Sequence, residues 1–274
     1  MHNMGAYEEL AAHRAIHTGD SGAVRWYIES GKMDPNAPLI LRNANYPLDT
    51  AVFYGKYEIA EILLQHGADP DSVGEDWGPM HIAAAHNDAA MLSLLASYGG
   101  DVSISGGRTG RNPLHWLAEI AEEIKPETLD FLISKGIDIN ASDSSGMTAA
   151  HILASKRWDA EANPAASLEL LLRHSADLSK TDKDGNTALH LSISSMASTE
   201  VVLRLLSSYP EAMRMKNSAG ETPLSIAMKT RSRDANYASA LLADLILYRK
   251  QSRQSALVQI KRDATAFAPK LRVG

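Results

Sequence analysis

The chain has 274 residues, a net charge of −6 and no cysteine. The acidic balance argues against a nucleic-acid binder, which needs a basic stripe, and the missing thiols exclude disulfides, thiol catalysis and zinc-finger chemistry. No stretch approaches the about 18 apolar residues of a membrane span, and the first nine residues lack the basic-then-apolar order of a signal peptide, so an intracellular protein, cytoplasmic or nuclear, is expected.

The predicted elements begin with a helix holding Leu10-Ala-Ala-His-Arg-Ala15, a turn at Gly19 and a second helix over Val24–Gly31. A six-residue phrase then recurs: Tyr46-Pro-Leu-Asp-Thr-Ala51, Gly78-Pro-Met-His-Ile-Ala83, Asn112-Pro-Leu-His-Trp-Leu117, Thr148-Ala-Ala-His-Ile-Leu153, Thr187-Ala-Leu-His-Leu-Ser192 and Thr222-Pro-Leu-Ser-Ile-Ala227. Its fourth position returns after 32, 34, 36, 39 and 35 residues, the period of a solenoid. Each phrase opens a short helix. Thr can cap it by accepting from early backbone N–H groups, and Pro at the first helical position sacrifices no intrahelical bond. A Leu-rich second helix follows each of four phrases and closes in a Gly-Ala-Asp-like turn, over Ile59–Asp69, Met91–Asp101, Leu129–Asp138 and Leu168–Asp177. Gly67, Gly99 and Gly136 stand where a left-handed backbone ends that helix. Ser145-Gly146, Asp184-Gly185 and Ala219-Gly220 are turn dipeptides at hairpin tips. Extra residues lengthen the inter-helix turns around Glu122–Pro126 and Lys156–Pro164. A last, longer helix is predicted from about Tyr237 to Lys250, with Ala240, Leu241, Leu245 and Tyr248 at helical spacing. Beyond it Leu257, Ile260, Ala264 and Phe267 outline a short amphipathic helix, expected to cover the terminal repeat. Residues 229–274 carry ten basic and three acidic side chains, net +7, which leaves −13 on the remainder.

The phrase, the Leu-rich helix and the turn dipeptide together resemble the ankyrin repeat. The resemblance implies an all-α solenoid of stacked helix–turn–helix units with β-hairpin-like finger loops. It implies a domain over 5–250, with a cap at 5–37 and repeats at 38–71, 72–104, 105–140, 141–179, 180–215 and 216–250, followed by a basic tail at 251–274. The sequence departs from the pattern where Asp49 and Ser225 replace the motif His, where Ala149 and Ala188 replace Pro, and where Leu117, Leu153 and Ser192 replace the small Ala.

His13, His81, His115, His151 and His190 recur in register, which suggests a metal or catalytic array. Register argues the opposite. Equivalent positions of stacked helices lie roughly 10 Å apart, whereas ligands must sit about 2 Å from a shared ion. The resemblance implies a structural role, with each ring hydrogen-bonding backbone and hydroxyl groups across repeats. No nucleophile elbow, phosphate-cradling loop or metalloprotease helix is present. Gly106-Gly-Arg-Thr-Gly110 falls where a finger tip belongs, and Glu122 and Glu123 are expected to diverge around a helix. Neither an enzyme nor a cofactor is indicated.

Recognition is what remains. In the ankyrin family, finger tips and first-helix faces form the concave binding surface. The position before the phrase reads Asn45, Trp77, Arg111, Met147, Asn186 and Glu221, and the pair ending each first helix reads Phe53-Tyr54, Ala85-His86, Glu119-Ile120, Ser155-Lys156, Ser194-Ser195 and Lys229-Thr230. Aromatic residues on adjacent repeats make Phe53, Tyr54, Trp77, His86, Arg111, Glu119 and Met147 the candidate partner-binding residues, since Trp, Tyr and Arg dominate interface hot spots. Trp116 reads as core, Trp26 as part of the cap and Trp158 as an insertion residue held in reserve. Leu132, Asp138, Ile139 and Asn140 resemble the pattern at which an asparaginyl hydroxylase modifies ankyrin fingers, with Asn140 as acceptor. The expected partner is a protein or peptide, bound by a chain monomeric on its own. An alternative is a scaffold whose basic tail docks a second, acidic partner.

Overall fold

The computed structural model describes residues 4–39, 46–74, 77–156 and 164–230. The tail at 251–274, the predicted helix from Tyr237 to Lys250, Asn45 and Trp158 lie outside them. The described residues form thirteen α-helices in stacked pairs, with no strand. The first helices of successive pairs are α1 (Met4–Thr18), α3 (Pro47–Phe53), α5 (Pro79–Ala85), α7 (Pro113–Ile120), α9 (Ala149–Ser155), α11 (Ala188–Ser194) and α13 (Pro223–Thr230). Each packs on the next in one continuous row. Their partners are α2 (Ser21–Glu29), α4 (Tyr57–Gln65), α6 (Ala89–Ser97), α8 (Pro126–Ser134), α10 (Pro164–Arg173) and α12 (Thr199–Ser208), with a 3-10 turn at Pro210–Arg214.

The paired helices are too short to be stable alone. Their apolar stripes merge into one core along the array, in which Leu48, Leu63, Met80, Leu92, Leu114, Leu129 and Leu132 are fully buried. Leu117, Leu153 and Ser192 are buried where the phrase normally has Ala, and Ser192 satisfies its hydroxyl by donating to the Leu189 carbonyl at 2.9 Å.

Four histidines stitch the fingers to this core. A backbone N–H can only donate, so the Gly78, Asn112, Thr148 and Thr187 amides, 3.1–3.2 Å from Nδ1 of His81, His115, His151 and His190, require that nitrogen to accept. The proton therefore sits on Nε2, which donates across the junction. It reaches the carbonyls of Arg111, Met147, Asn186 and Glu221 at 3.1–3.2 Å, each the residue just before the next phrase. The Thr148 and Thr187 hydroxyls, predicted to cap their helices, also meet Nδ1 of His151 and His190 at 2.9 and 2.8 Å. Burial holds all four rings below the usual histidine range, with His81 lowered to about 4.

The fingers are ribbons of backbone hydrogen bonds. Gly106 and Arg111 form an antiparallel bridge, and the Asp143, Asp182 and Asn217 amides donate to the Met147, Asn186 and Glu221 carbonyls at 2.9 Å. Neighbouring fingers join through Ser144 N–H to Thr109, Lys183 N–H to Ser145 and Ser218 N–H to Asp184, at 2.8–2.9 Å. Gly146 is indispensable here: its φ is +79°, and an added Cβ would lie 2.9 Å from the Lys183 nitrogen. The second helices end as predicted at Gly67, Gly99 and Gly136, all with positive φ, and Ser175 adopts the same left-handed conformation at the fourth such turn.

Candidate functional site

Two aromatic clusters lie along the first-helix row. The first starts at the end of α1, where His17 meets the Tyr54 ring edge-on at 4.4 Å. Tyr54 caps α3 and contacts Phe53 at 5.2 Å, and Phe53 contacts His86, the C-cap of α5, at 5.2 Å. Phe53 is 47 % exposed, so this ring row faces solvent and is not core. The structure thus brings together three residues that the sequence singled out, Phe53, Tyr54 and His86, and adds His17.

The second cluster surrounds Trp116. Trp77, 37 % exposed, lies 5.4 Å from the Trp116 ring. The Arg111 guanidinium sits 5.7 Å from the Trp116 ring centroid and ion-pairs with the buried Asp143 carboxylate at 3.2 Å and with Glu119 at 3.5 Å. Two expectations change here. Trp116 is half-buried and belongs to the surface cluster, not to the core, because its neighbour across the junction is Trp77. Arg111 does not project freely: its charge is already engaged, so it shapes the surface more than it offers an open donor. Met147 is likewise half-buried against the core, its amide donating to the Asp143 carboxylate at 3.0 Å. Glu119 is half-buried beside Arg111.

Trp116 and Ile120 are one turn apart on the same face of α7, which links the two clusters. Ile120, 47 % exposed, opens onto a pocket of about 470 Å³. Its lining includes Ala85 and His86 from the end of α5, Ile120 from α7, Glu122 and Glu123 from the α7–α8 connection, and Pro126 from the start of α8. The sequence expectation that Glu122 and Glu123 diverge around a helix is wrong. α7 ends at Ile120, and Ala121 leaves it with extended backbone (φ −61°, ψ 137°), so both carboxylates stand in a turn beside one pocket. That turn is held on two sides. Asn87 donates from Nδ2 to the Glu123 carbonyl at 2.6 Å and accepts the Lys125 amide at 3.1 Å. From the other side the Ile124 amide donates to Ser167 Oγ at 2.9 Å, and Lys156 Nζ donates to the Ala121 carbonyl at 3.0 Å. The lengthened turn noticed in the sequence is thus a pinned wall. Its partners Asn87 and Ser167 lie about 40 residues away in the chain, so no local pattern exposes them.

The first junction of the row is different. Asp49 occupies the histidine position of α3, 6 % exposed. One carboxyl oxygen accepts the Tyr46 amide at 3.3 Å and the other, Oδ1, has no partner among the described residues. Burial raises this carboxyl to about 7, against a smaller lowering by the Tyr46 amide. Ser225, the other replacement, closes on its own phrase by accepting the Thr222 amide at 2.9 Å and donating to the Thr222 carbonyl at 2.8 Å. Asn140 is engaged across the next repeat. Its side chain accepts the Asp177 amide at 2.7 Å and donates to the Ser175 carbonyl at 3.3 Å, the same bridge that Asn36 makes to Asp69 and Gly67. Among the described residues no group of three His, Asp or Glu side chains could hold a metal ion, and no helix is long and apolar enough to cross a membrane.

Stacked helix pairs, histidine-stitched fingers and a first-helix face bearing exposed rings define an ankyrin repeat domain. Models of ankyrin repeats match residues 48–96 and 117–214, and the chain belongs to that family, whose members are typically protein-interaction modules and generally non-catalytic. Human ankyrin repeat and SOCS box protein 6 is 35 % identical over 107 residues, 37 % of this chain and 24 % of that protein. The match thus spans about a quarter of that curated relative's length. The ankyrin repeat domain of human ASB11 superposes with a TM-score of 0.63 at 19 % identity, covering 78 % of this chain and 90 % of that one. That of Bcl-3 gives a TM-score of 0.61 at 23 % identity, covering 78 % and 92 %. At such identities these two likenesses speak for the fold alone.

Proposed function

We propose that this chain is a non-catalytic binding module that engages a partner protein or peptide on the face carrying Phe53, Tyr54, Trp77 and His86, with Arg111, Glu119 and Met147 shaping its second cluster. The observation that carries the reading is the continuity of exposed rings into a pinned pocket across adjacent pairs. An exposed apolar cluster of this kind is a mark of an interaction site, and a rigid platform lowers the ordering cost of binding. An intracellular location goes with this reading, as does a monomeric chain.

The test is the double change Phe53→Ala with Trp77→Ala. Capture of the partner should fall at least tenfold, while each change alone alters stability by no more than about 1 kcal/mol, as surface substitutions do. Leu63, fully buried, is the control: Leu63→Ala should cost about 2–5 kcal/mol. Collapse of the fold in the double variant would make the rings structural and overturn the proposal. The charge partition, −13 against +7 in residues 229–274, favours a second reading in which the basic tail docks an acidic partner. Deleting 251–274 should then lose that partner and leave the repeats folded.

A further inference from the structure

We infer that the pocket between α5, α7 and the α7–α8 turn takes a lysine or arginine side chain of an extended partner segment, whose apolar residue two positions away lies on the Phe53–His86 rings. This rests on the binding-face reading above and names the chemistry of its partner.

The pocket is amphipathic in the same sense as such a side chain. Ala85, Ile120 and Pro126 give it apolar walls, and Glu122 and Glu123 stand exposed at its edge. Lysine and arginine have an apolar stem and a charged head, and they bury the first while keeping the second at a polar rim. At about 470 Å³ the space falls within the usual range of ligand pockets, roughly 300–1,000 Å³, and is open enough for a long side chain.

The electrostatics point the same way. Because Ala121 turns into extended backbone, α7 stops without a left-handed closing residue. The C-terminal end of α7, the negative end of its dipole, borders the pocket through Ile120 and Ala121, and Lys156 takes one of its carbonyls, that of Ala121. Two carboxylates face one ammonium on the lining, Lys125. The other nearby cation, Lys156, is held on the Ala121 carbonyl at 3.0 Å. The −13 carried by residues 1–228 adds a field that attracts cationic segments.

The spacing follows from His86. It lines the pocket and also lies 5.2 Å from the Phe53 ring. Along an extended peptide, residues two apart share a face and are separated by about 7 Å. A basic residue in the pocket therefore places the residue two positions away over the ring row. An aromatic or large aliphatic side chain suits that place.

The experiment uses the full chain and three fluorescein-labelled nonapeptide mixtures with two fixed central positions: Arg-x-Phe, Glu-x-Phe and Arg-x-Ser. Affinity is read by fluorescence polarisation. The Arg-x-Phe mixture should bind at least tenfold more tightly than either of the others. Glu122→Gln with Glu123→Gln, both exposed and in a turn, should shrink the Arg-over-Glu preference to below threefold and leave the Phe-over-Ser preference in place. Phe53→Ala should do the reverse. Equal binding of Arg-x-Phe and Glu-x-Phe, or a preference untouched by the double Gln variant, overturns the basic-side-chain assignment and leaves the binding face standing. Failure of all three mixtures to bind also overturns the assignment. The binding face falls with it only when Phe53→Ala with Trp77→Ala spares partner capture as well.

Discussion

Acidification should loosen the stitching between the second and third repeats, and His81 is the residue that sets how much. The ring is fully buried. It accepts the Gly78 amide at Nδ1 and donates from Nε2 to the Ile104 and Arg111 carbonyls, all at 3.1 Å. Protonation would put an N–H on Nδ1 against the Gly78 N–H, donor facing donor, in a fully buried site. Burial is the larger cause of the lowering from 6.5 to about 4, and it outweighs the opposing effect of the two carbonyls. The folded state therefore favours the neutral ring. Its contribution is fully present above the unfolded value of 6.5 and is lost as the pH falls toward 4. At about 1.4 kcal/mol per unit, the full difference is about 3 kcal/mol, with about 2.5 kcal/mol lost by pH 4.5. The assay is urea denaturation of the wild type and of His81→Gln at pH 7.5, 6.0, 5.0 and 4.5. Gln does not titrate, so the gap between the two proteins isolates this ring. The wild-type advantage should shrink by about 2 kcal/mol or more over that range. A constant gap, or an NMR titration of the His81 ring centred near 6.5, would refute the reasoning.

Asp49 has the opposite sign. Its folded value near 7 lies above the unfolded 3.8, so its contribution is present at low pH and lost as the pH rises through about 7. Asp49→Asn should therefore gain on the wild type in denaturation midpoint between pH 5 and pH 8, and a gap that narrows over that range would contradict the assignment. Gly146→Ala combines a left-handed backbone with a 2.9 Å approach to the Lys183 nitrogen, whereas Gly67→Ala has the same sign of φ (+84°) and nothing within 4 Å. The first should cost clearly more than the second, which should cost about 1–2 kcal/mol, as thermal unfolding of the pair will show. Asn87 has a φ of +59°, so Asn87→Gly keeps the turn conformation while removing both side-chain bonds to the α7–α8 wall. Hydrogen exchange at the Lys125 amide should accelerate at least tenfold, and unchanged protection would mean that Ser167 and Lys156 hold the wall unaided.

Much of the architecture was legible because each repeat is built from local signals. The phrase places Pro47, Pro79 and Pro113 at helix starts, the left-handed glycines end the second helices, and the in-register histidines stack as structural bridges. Phe53, Tyr54 and His86 were legible as a surface group because they fall in the pair of positions that ends the first helix in consecutive repeats. Arg111 and Met147 were misleading for a related reason. Their offset is the finger position, but Asp143 is buried between them and takes the Arg111 guanidinium and the Met147 amide. Trp116 reads as core by offset, yet a ring that large at the junction is met by Trp77 on the surface side.

The repeat, its period and the faces that cannot be core follow from local residue chemistry, because helix caps, turn glycines and apolar spacing act over a few residues and recur at each copy. What the irregular residues do depends on how the repeats stack. Glu122 and Glu123 share a pocket because Ala121 ends α7 early and Asn87 and Ser167, from the pairs on either side, pin the turn that carries them. Those contacts depend on how one repeat stacks on the next, and stacking is a relation between distant segments that no local pattern encodes.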